Sequence, residues 1–330
     1  MQQIKNIKLL FIASLIGFQS MAQDPHFTQF YSAPLTVNPA YTGHFDGSFR
    51  AISNYRQQWI SSINPINTTS IEIDGRLNAM DASENKPYSL GLLFMNDNTM
   101  KGVFTSNYLM ASGSYQKELD YEGMQKLGIG FNATYGNRNI DFSNLTFSEQ
   151  FRSEVGYNIG LPTGEAALSS MKSFISLGTG LLYNYQNREN GTYFDAGISA
   201  YHLNRPKQSV LKDDNQVIPV RYSAQMSWQH YISDDVMFNV KALYQNQASM
   251  DYILGGVSVA KMLGENLYDF VGAGAWIRSK DAISPYIFLE FGKTQLGLTY
   301  DIITSDLKNG PKPTKSFEMS LQWRLDKEIR

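Results

Sequence analysis

The sequence predicts an all-β protein: a transmembrane antiparallel β-barrel of about 14 strands with an N-terminal plug or rim segment. Three observations lead to this class: repeated alternation of apolar and polar residues, polar faces built from small uncharged residues, and a high aromatic content. Charged residues make up only 18% of the chain, below the roughly 25% of typical globular domains. A barrel in lipid needs an apolar exterior, aromatic belts and a polar lumen, and this composition can supply all three.

The last segment shows the alternation best. One face of the segment is apolar and consists of Phe317, Met319, Leu321, Trp323 and Leu325. The other face is polar and consists of Ser316, Glu318, Ser320, Gln322 and Arg324. The stretches 127–136, 220–231 and 294–301 alternate in the same way. A soluble β-sandwich or solenoid also alternates, but the polar faces here carry Gly, Ser, Asn, Gln and Thr rather than Lys and Glu, which favours the membrane barrel.

The segments of this kind have the length of tilted membrane-spanning strands. We place the strands near 48–59, 68–78, 88–97, 104–118, 125–137, 172–186, 192–203, 219–231, 236–246, 250–261, 265–278, 283–292, 293–302 and 314–326. With an even strand count, long extracellular loops should alternate with short periplasmic turns. The three longest connections, 138–171, 204–218 and 303–313, all fall on one side of this count. The connection 79–87 is the exception, because it is long for a periplasmic turn.

The first 22 residues have the pattern of a cleaved signal peptide. Lys5 and Lys8 precede an apolar run at 9–18, and small residues stand before a cleavage site after Ala22. The predicted division of the chain is therefore a signal peptide at 1–22, an N-terminal periplasmic or plug segment at 23–47 and an outer-membrane barrel at 48–330. Beyond residue 22 no apolar run is long enough for a spanning helix, and the mean hydropathy is −0.30, so a polytopic helical membrane protein is excluded.

The sequence contains no recognisable catalytic or cofactor motif. An exported chain with no cysteine has no disulfides and no cysteine-linked lipid anchor. The net charge of −2 gives no basic surface for nucleic acid. The four histidines lack partners at metal-ligand spacing, and phosphate-binding loops, dinucleotide fingerprints and nucleophile elbows are missing. We therefore predict no enzyme, cofactor or metal; an outer-membrane hydrolase has no positive sign in the sequence.

The N-terminal strip is the most distinctive motif. "QDPHFTQFYSAPLTVNPAYTG" at 23–43 is stiff and aromatic, so it suits the plugging of a lumen or packing under a barrel rim better than a solvated tail. "YRQQW" follows at 55–59, "TYFDAGISAYHLN" at 192–204 and "LGLTYDIITSDL" at 296–307. The motif residues are Asp24, Pro25, Phe27, Asn38, Pro39, Ala40, Tyr41, Arg56, Gln57, Gln58 and Trp59.

With these motifs the chain resembles the PorP/SprF family, outer-membrane proteins of the type IX secretion system of Bacteroidota. The resemblance implies a non-enzymatic barrel that helps to export, or to retain at the cell surface, a large adhesin-type partner with a C-terminal sorting domain. It also implies gliding motility as one setting, and contacts with other secretion-system components and with outer-membrane lipid. One departure is the C-terminus: many outer-membrane barrels end in an aromatic residue, whereas this chain continues to Arg330.

The long connection 138–171 is the candidate partner-binding site. It carries more apolar side chains than a solvated loop should, and large exposed apolar patches mark interfaces. The candidate anchors are Phe142, Leu145, Phe147, Phe151 and Tyr157. The loop can instead fold inward as a lid over the lumen, so both interpretations stay open. At the level of function, the alternative to a partner-holding barrel is a passive, porin-like solute channel.

Overall fold

The computed structural model describes residues 24–60, 64–77, 87–141, 145–152, 156–158, 160–162, 172–208, 216–264, 269–305 and 315–325. The predicted signal peptide and most of the connection 79–87 lie outside these residues. The strands are β1 (Phe49–Gln58), β2 (Ile66–Arg76), β3 (Tyr88–Thr99), β4 (Phe104–Glu118), β5 (Gln125–Ile140), β6 (Phe151–Arg152), β7 (Gly156–Tyr157), β8 (Phe174–Asn187), β9 (Thr192–Tyr201), β10 (Arg221–Ser233), β11 (Val236–Gln247), β12 (Met250–Met262), β13 (Phe270–Arg278), β14 (Ala282–Phe291), β15 (Thr294–Ile303) and β16 (Lys315–Leu325).

All of these strands except β6 and β7 form one closed antiparallel barrel of 14 strands. Each strand pairs with its sequence neighbours in an up-and-down order, and β5 pairs directly with β8. Pairing of β1 with β16 closes the sheet, with Phe49 opposite Leu325. The short strands β6 and β7 form a separate two-stranded ribbon inside the β5–β8 connection. The predicted fold class and strand number are confirmed.

The alternating residues of the sequence form the inner and outer faces of the barrel wall. Along β5 the side chains of Leu127, Ile129 and Phe131 are exposed, whereas the intervening Gly128 and Gly130 are buried. The same exchange of exposed apolar and buried polar residues runs along β16. The outer face is therefore apolar and meets lipid, and the inner face is polar, as expected for a membrane barrel.

The two ends of the barrel differ in their connections. At one end, here called the loop end, lie the long connections 141–173, 202–220 and 304–314. At the other, the turn end, lie short connections such as 234–235 and 292–293, and β1 begins there. The three connections predicted to be long lie at one end, as expected, and the connection 77–87 at the turn end is the exception that the sequence also shows. In outer-membrane barrels the short turns are periplasmic and the long loops extracellular.

The N-terminal residues 24–47, here called the lumen segment, lie inside the barrel. The segment forms a 3-10 turn at Phe30–Ser32, a short helix α1 at Pro34–Val37 and a second 3-10 turn at Pro39–Tyr41. Pro34 and Pro39 stand at the first positions of the helix and of the second turn, where the missing N–H is not needed and the fixed φ favours the helical start. These two prolines restrict the backbone of the segment at both positions.

The hydrophobic core lies in the lumen rather than between two sheets. One cluster joins Phe27 and Leu35 of the lumen segment to Tyr108 and Tyr201 of the wall. A second joins Phe30 and Val37 to wall residues that include Trp276. Since both clusters mix residues from the segment and the wall, seating of the segment is part of forming the core.

Candidate functional site

The lumen segment is fixed at the loop end by Asp24. The Asp24 carboxylate lies 2.7 Å from His202 Nε2 and 3.1 Å from an Arg221 guanidinium nitrogen. The Asp24 backbone N–H donates to Gln247 Oε1 at 2.9 Å. Burial alone would raise the pKa of Asp24, but the charges of His202 and Arg221 outweigh it and hold that pKa well below its usual range. The segment thus begins at the loop end, tied to the ends of three strands.

The next turn of the segment is held by an inward carboxylate on β16. The backbone N–H groups of Thr28 and Gln29 donate to the two oxygens of Glu318, at 2.7 and 2.6 Å. Arg56 on β1 lies 3.7 Å from the same carboxylate and donates to the His26 carbonyl. Hydrogen bonds to a charged carboxylate are stronger than neutral ones, so this is a firm anchor.

A network of charges surrounds that anchor. Arg278 on β13 donates to Thr28 Oγ1 at 2.9 Å and to Asp301 at 2.6 Å. Arg56 also reaches Asp301, at 3.4 Å, and Ser284 donates to that carboxylate at 2.6 Å. Buried ions need partners of this kind, because an unpaired charge in a lumen filled by protein is costly.

In the middle of the barrel the Asn-Pro-Ala motif fits a notch lined by glycine. Asn38 is fully buried; it accepts from the Ala40 N–H at 2.9 Å and donates to the carbonyls of Leu181 and Ile198, at 3.0 and 3.2 Å. A Cβ at Gly180 would lie 2.0 Å from Asn38 Oδ1, and one at Gly130 would lie 2.3 Å from Ala40 N. These two strand glycines are therefore explained by the close approach of another backbone.

At the turn end the segment leaves the lumen through polar contacts. The Gly43 N–H donates to Asp74 at 2.7 Å, and Arg50 pairs with the same carboxylate at 2.8 Å. His44 lies 3.0 Å from Asp195 and 2.5 Å from the Tyr193 hydroxyl. The segment is thus bonded to the wall at both ends and in its middle.

The structure brings together most of the motif residues that the sequence singled out. Asp24, Phe27, Asn38, Pro39, Ala40 and Arg56 all lie within the lumen, and Tyr41 is half-buried beside His44. Pro25, Gln57 and Gln58 are half-buried, and Trp59 is exposed at the loop end. The two parts of the motif therefore pack against each other in the folded protein: the lumen segment lies against β1, and Arg56 makes the contact.

Sequence reasoning missed the inward carboxylates that receive the segment. Glu72 accepts from the Leu35 N–H at 3.2 Å, and Asp74 and Glu318 accept from other backbone N–H groups. All three side chains are buried. A signal was available, because each acid stands on the inward face of its strand, in alternation with Ser or Thr. An ionisable residue facing a lumen is a functional candidate by default.

The predicted docking residues lie at the loop end, outside the lumen. Phe151 and Tyr157 stand opposite each other across the β6–β7 ribbon and are 66% and 40% exposed. Gln150 fixes the base of the ribbon, because its side chain accepts from the Phe147 N–H at 3.2 Å and donates to the Leu161 carbonyl at 3.2 Å. Leu145 and Phe147 are half-buried, and Phe142 lies outside the described residues.

These features define the class of protein. The chain is an outer-membrane-type β-barrel whose lumen is occupied by its own N-terminal segment. In the described part of the chain, no helix is long and apolar enough to cross a membrane. Residues 19–323 match the model of one family, described as the type IX secretion system membrane protein PorP/SprF. The chain belongs to this family, and it is an outer-membrane barrel related to secretion.

Solved structures similar to this chain are also membrane barrels. A mutant of the monoaromatic hydrocarbon channel TodX is 9% identical, with 88% of this chain and 93% of that chain covered and a TM-score of 0.50. The toluene transporter TbuX from Ralstonia pickettii is 11% identical, with 89% and 94% covered and a TM-score of 0.47. The KdgM porin is 8% identical, with 84% and 99% covered and a TM-score of 0.41. A search of curated proteins gave no match. At such low identity these likenesses concern the fold alone.

Proposed function

We propose that this barrel retains an exported, adhesin-type surface protein at the cell surface, or assists its export, by docking that protein at the loop end. The partner carries the C-terminal sorting domain of type IX substrates, and gliding motility is one setting for it. The barrel serves as a non-enzymatic holder. The proposal rests on membership of a type IX secretion family together with an exposed aromatic ribbon at the loop end.

The ribbon is the main support for this proposal because its two aromatic side chains are exposed. Phe151 and Tyr157 face each other across strands too short to have a core of their own, and Gln150 orders the loop beneath them. Rigid exposed aromatics are the usual anchors of protein interfaces, because they bury large apolar area at little entropic cost. Leu145 and Phe147, which are half-buried, and Phe142 precede the ribbon in the sequence.

The filled lumen supports a holder rather than a passive channel. Residues 27–43 of the lumen segment are buried with the exception of the half-buried Tyr31 and Tyr41, and hydrogen bonds join the segment to strands on several sides of the barrel. A solute would have to displace this bonded core. A closed barrel that presents a docking face fits retention of a partner better than free diffusion.

The experiment is a test of surface retention in cells. A Phe151→Ala/Tyr157→Ala double variant should release sorting-domain proteins from the cell surface into the medium, as quantified by mass spectrometry of both fractions. The matched control is Tyr121→Ala, which removes a fully exposed aromatic from the turn end. If the double variant assembles at wild-type levels and its partner stays on the cells, the ribbon is not the docking face.

A further inference from the structure

A cavity of about 270 Å³ lies between the lumen segment and the turn end. Its inner limit is formed by Phe30 and Tyr31 of the segment and by Trp276 of β13. The rest of the lining extends to Gln295 and Arg324, which stand close to the turn-end limits of β15 and β16. The cavity is therefore a vestibule on the periplasmic side of the lumen segment.

Lys241 lines this vestibule without a salt-bridge partner among the described residues. Lys241 on β11 places its ammonium 4.0 Å from the centroid of the Tyr31 ring, and it makes no salt bridge or hydrogen bond among the described residues. The nearby carboxylates are already engaged: Asp195 is bound by His44, and Glu290 is bound by Arg324. An unpaired cation on an inward face is costly unless something anionic compensates it.

The other cations of the lining are already held. Arg50 pairs with Asp74 at 2.8 Å, and Lys126 pairs with Glu118 at 3.1 Å. The Arg76 guanidinium donates to backbone carbonyls of the lumen segment. Among the described lining residues, Lys241 is therefore the cation whose ammonium has neither a carboxylate nor a carbonyl within hydrogen-bond distance.

Two unused donors lie beside this cation. The indole N–H of Trp276 and the hydroxyl of Tyr31 are buried and make no hydrogen bond of ordinary geometry among the described residues, although the Tyr31 hydroxyl lies close to the polar atoms of Trp276 and Tyr286. Lys241, Gly256 and Trp276 occupy one row across β11, β12 and β13, and a Cβ at Gly256 would lie 2.3 Å from the Trp276 ring. Lysine and indole therefore face the lumen at the same level. Buried donors without acceptors are rare in folded proteins and point to an absent acceptor.

The remaining wall is aromatic. The rings of Tyr31 and Trp276 lie 5.1 Å apart, and Tyr286 lies 5.7 Å from Tyr31 and 5.4 Å from Phe288. A ligand that fits must therefore combine an acceptor with one negative charge and an apolar body. One ammonium with open hydrogen-bonding positions suits a carboxylate, and the cavity volume lies just below the roughly 300–1,000 Å³ of typical small-ligand sites.

We propose that the vestibule binds a carboxylate attached to an aromatic or apolar group, presented from the periplasm. Lys241 supplies the charge, Trp276 and Tyr31 supply hydrogen bonds, and the aromatic wall receives the apolar group. The carboxylate can come from the end of a polypeptide chain or from a small free acid. The proposal does not depend on the partner-holding role of the loop end.

The test is calorimetric titration of the full-length protein in detergent. The probes are N-acetylphenylalanine and a tetraglycyl-phenylalanine peptide, each as the free acid and as the C-terminal amide. We expect the acids to bind at least tenfold more tightly than the amides. Binding of the peptide acid alone identifies a chain terminus as the source, and equal binding of N-acetylphenylalanine identifies a small acid. Equal binding of acids and amides, or no binding at millimolar concentration, would overturn the proposal.

Substitutions locate the site within the vestibule. Lys241→Met should weaken the acid at least tenfold and leave the amide unchanged, and Trp276→Phe should weaken the acid by a smaller factor. Lys261→Met is the matched control, because Lys261 is also a β12–β11 neighbour near the turn end but is exposed to solvent. If Lys241→Met does not fold, the comparison of acid with amide binding to the native protein still tests the proposal. Undiminished acid binding by folded Lys241→Met would also overturn the proposal.

Discussion

Removal of the Asn38 side chain should release the lumen segment. Asn38→Ala deletes three hydrogen bonds and leaves the buried Ala40 N–H without its acceptor. The two bonds to carbonyls are worth about 0.5–1.5 kcal/mol each, and the stranded Ala40 N–H costs about 1–3 kcal/mol, so a loss of about 2–6 kcal/mol is expected. At about 1.4 kcal/mol per factor of ten, the population with the segment released should rise at least about 30-fold, and up to about 20,000-fold.

The assay uses the absence of native cysteine. A Ser199→Cys variant places one thiol under the segment, where the native hydroxyl donates to the Val37 carbonyl at 2.6 Å. The rate of labelling by a thiol reagent then reports the released population, provided that reseating is faster than labelling. Asn246→Ala, at an exposed loop-end position, is the control for general loosening. A labelling rate for Asn38→Ala within twofold of the parent would refute the assignment of Asn38 as the central anchor.

Three further predictions concern the wall, the notch and pH. Leu321→Arg puts charge in lipid and should cost about 2–4 kcal/mol of folding free energy, whereas Gln322→Arg faces the vestibule and should preserve the folding yield; equal losses would contradict the inside–outside assignment. Gly180→Val should displace the segment and raise the labelling rate, and an unchanged rate would show that the notch is not tight. Acid should release the segment. Burial and nearby arginines lower the pKa of His26 in the seated segment, so protonation of His26 favours the released segment once the pH falls below the ordinary histidine pKa of about 6.5. The pKa of Asp24 is also lowered, so its protonation should cause a second increase in release below pH about 3.9, which Asp24→Asn should abolish.

The sequence was sufficient for the barrel because the relevant signal is local. Alternation along one strand already assigns lipid and lumen faces, so the sequence predicts a strand at 125–137, and β5 runs Gln125–Ile140. The sequence predicts a strand from residue 265, whereas β13 begins at Phe270. Strand boundaries are set by pairing with neighbours, and alternation alone does not fix them.

The interior could not be predicted in the same way. Asp24 and His202 are 178 residues apart, and Thr28 and Glu318 are 290 residues apart, so no local pattern joins them. The sequence places Gly180 inside a strand without indicating what approaches it, and only the path of Asn38 shows that a close contact requires glycine there. Contacts between the lumen segment and the wall form only when the whole barrel closes. The residue pattern of a single strand carries no information about that closure.

The most direct test of the central claim, a barrel closed by its own N-terminal segment, is conductance in planar bilayers. The full-length protein should insert and show almost no steady current, because the lumen segment fills the path between the loop end and the vestibule. Deletion of residues 24–42 should open a stable, porin-like conductance in barrels that keep heat-modifiable mobility on gels. A steady open-pore current from the full-length protein, equal to that of the deletion variant, would contradict the account.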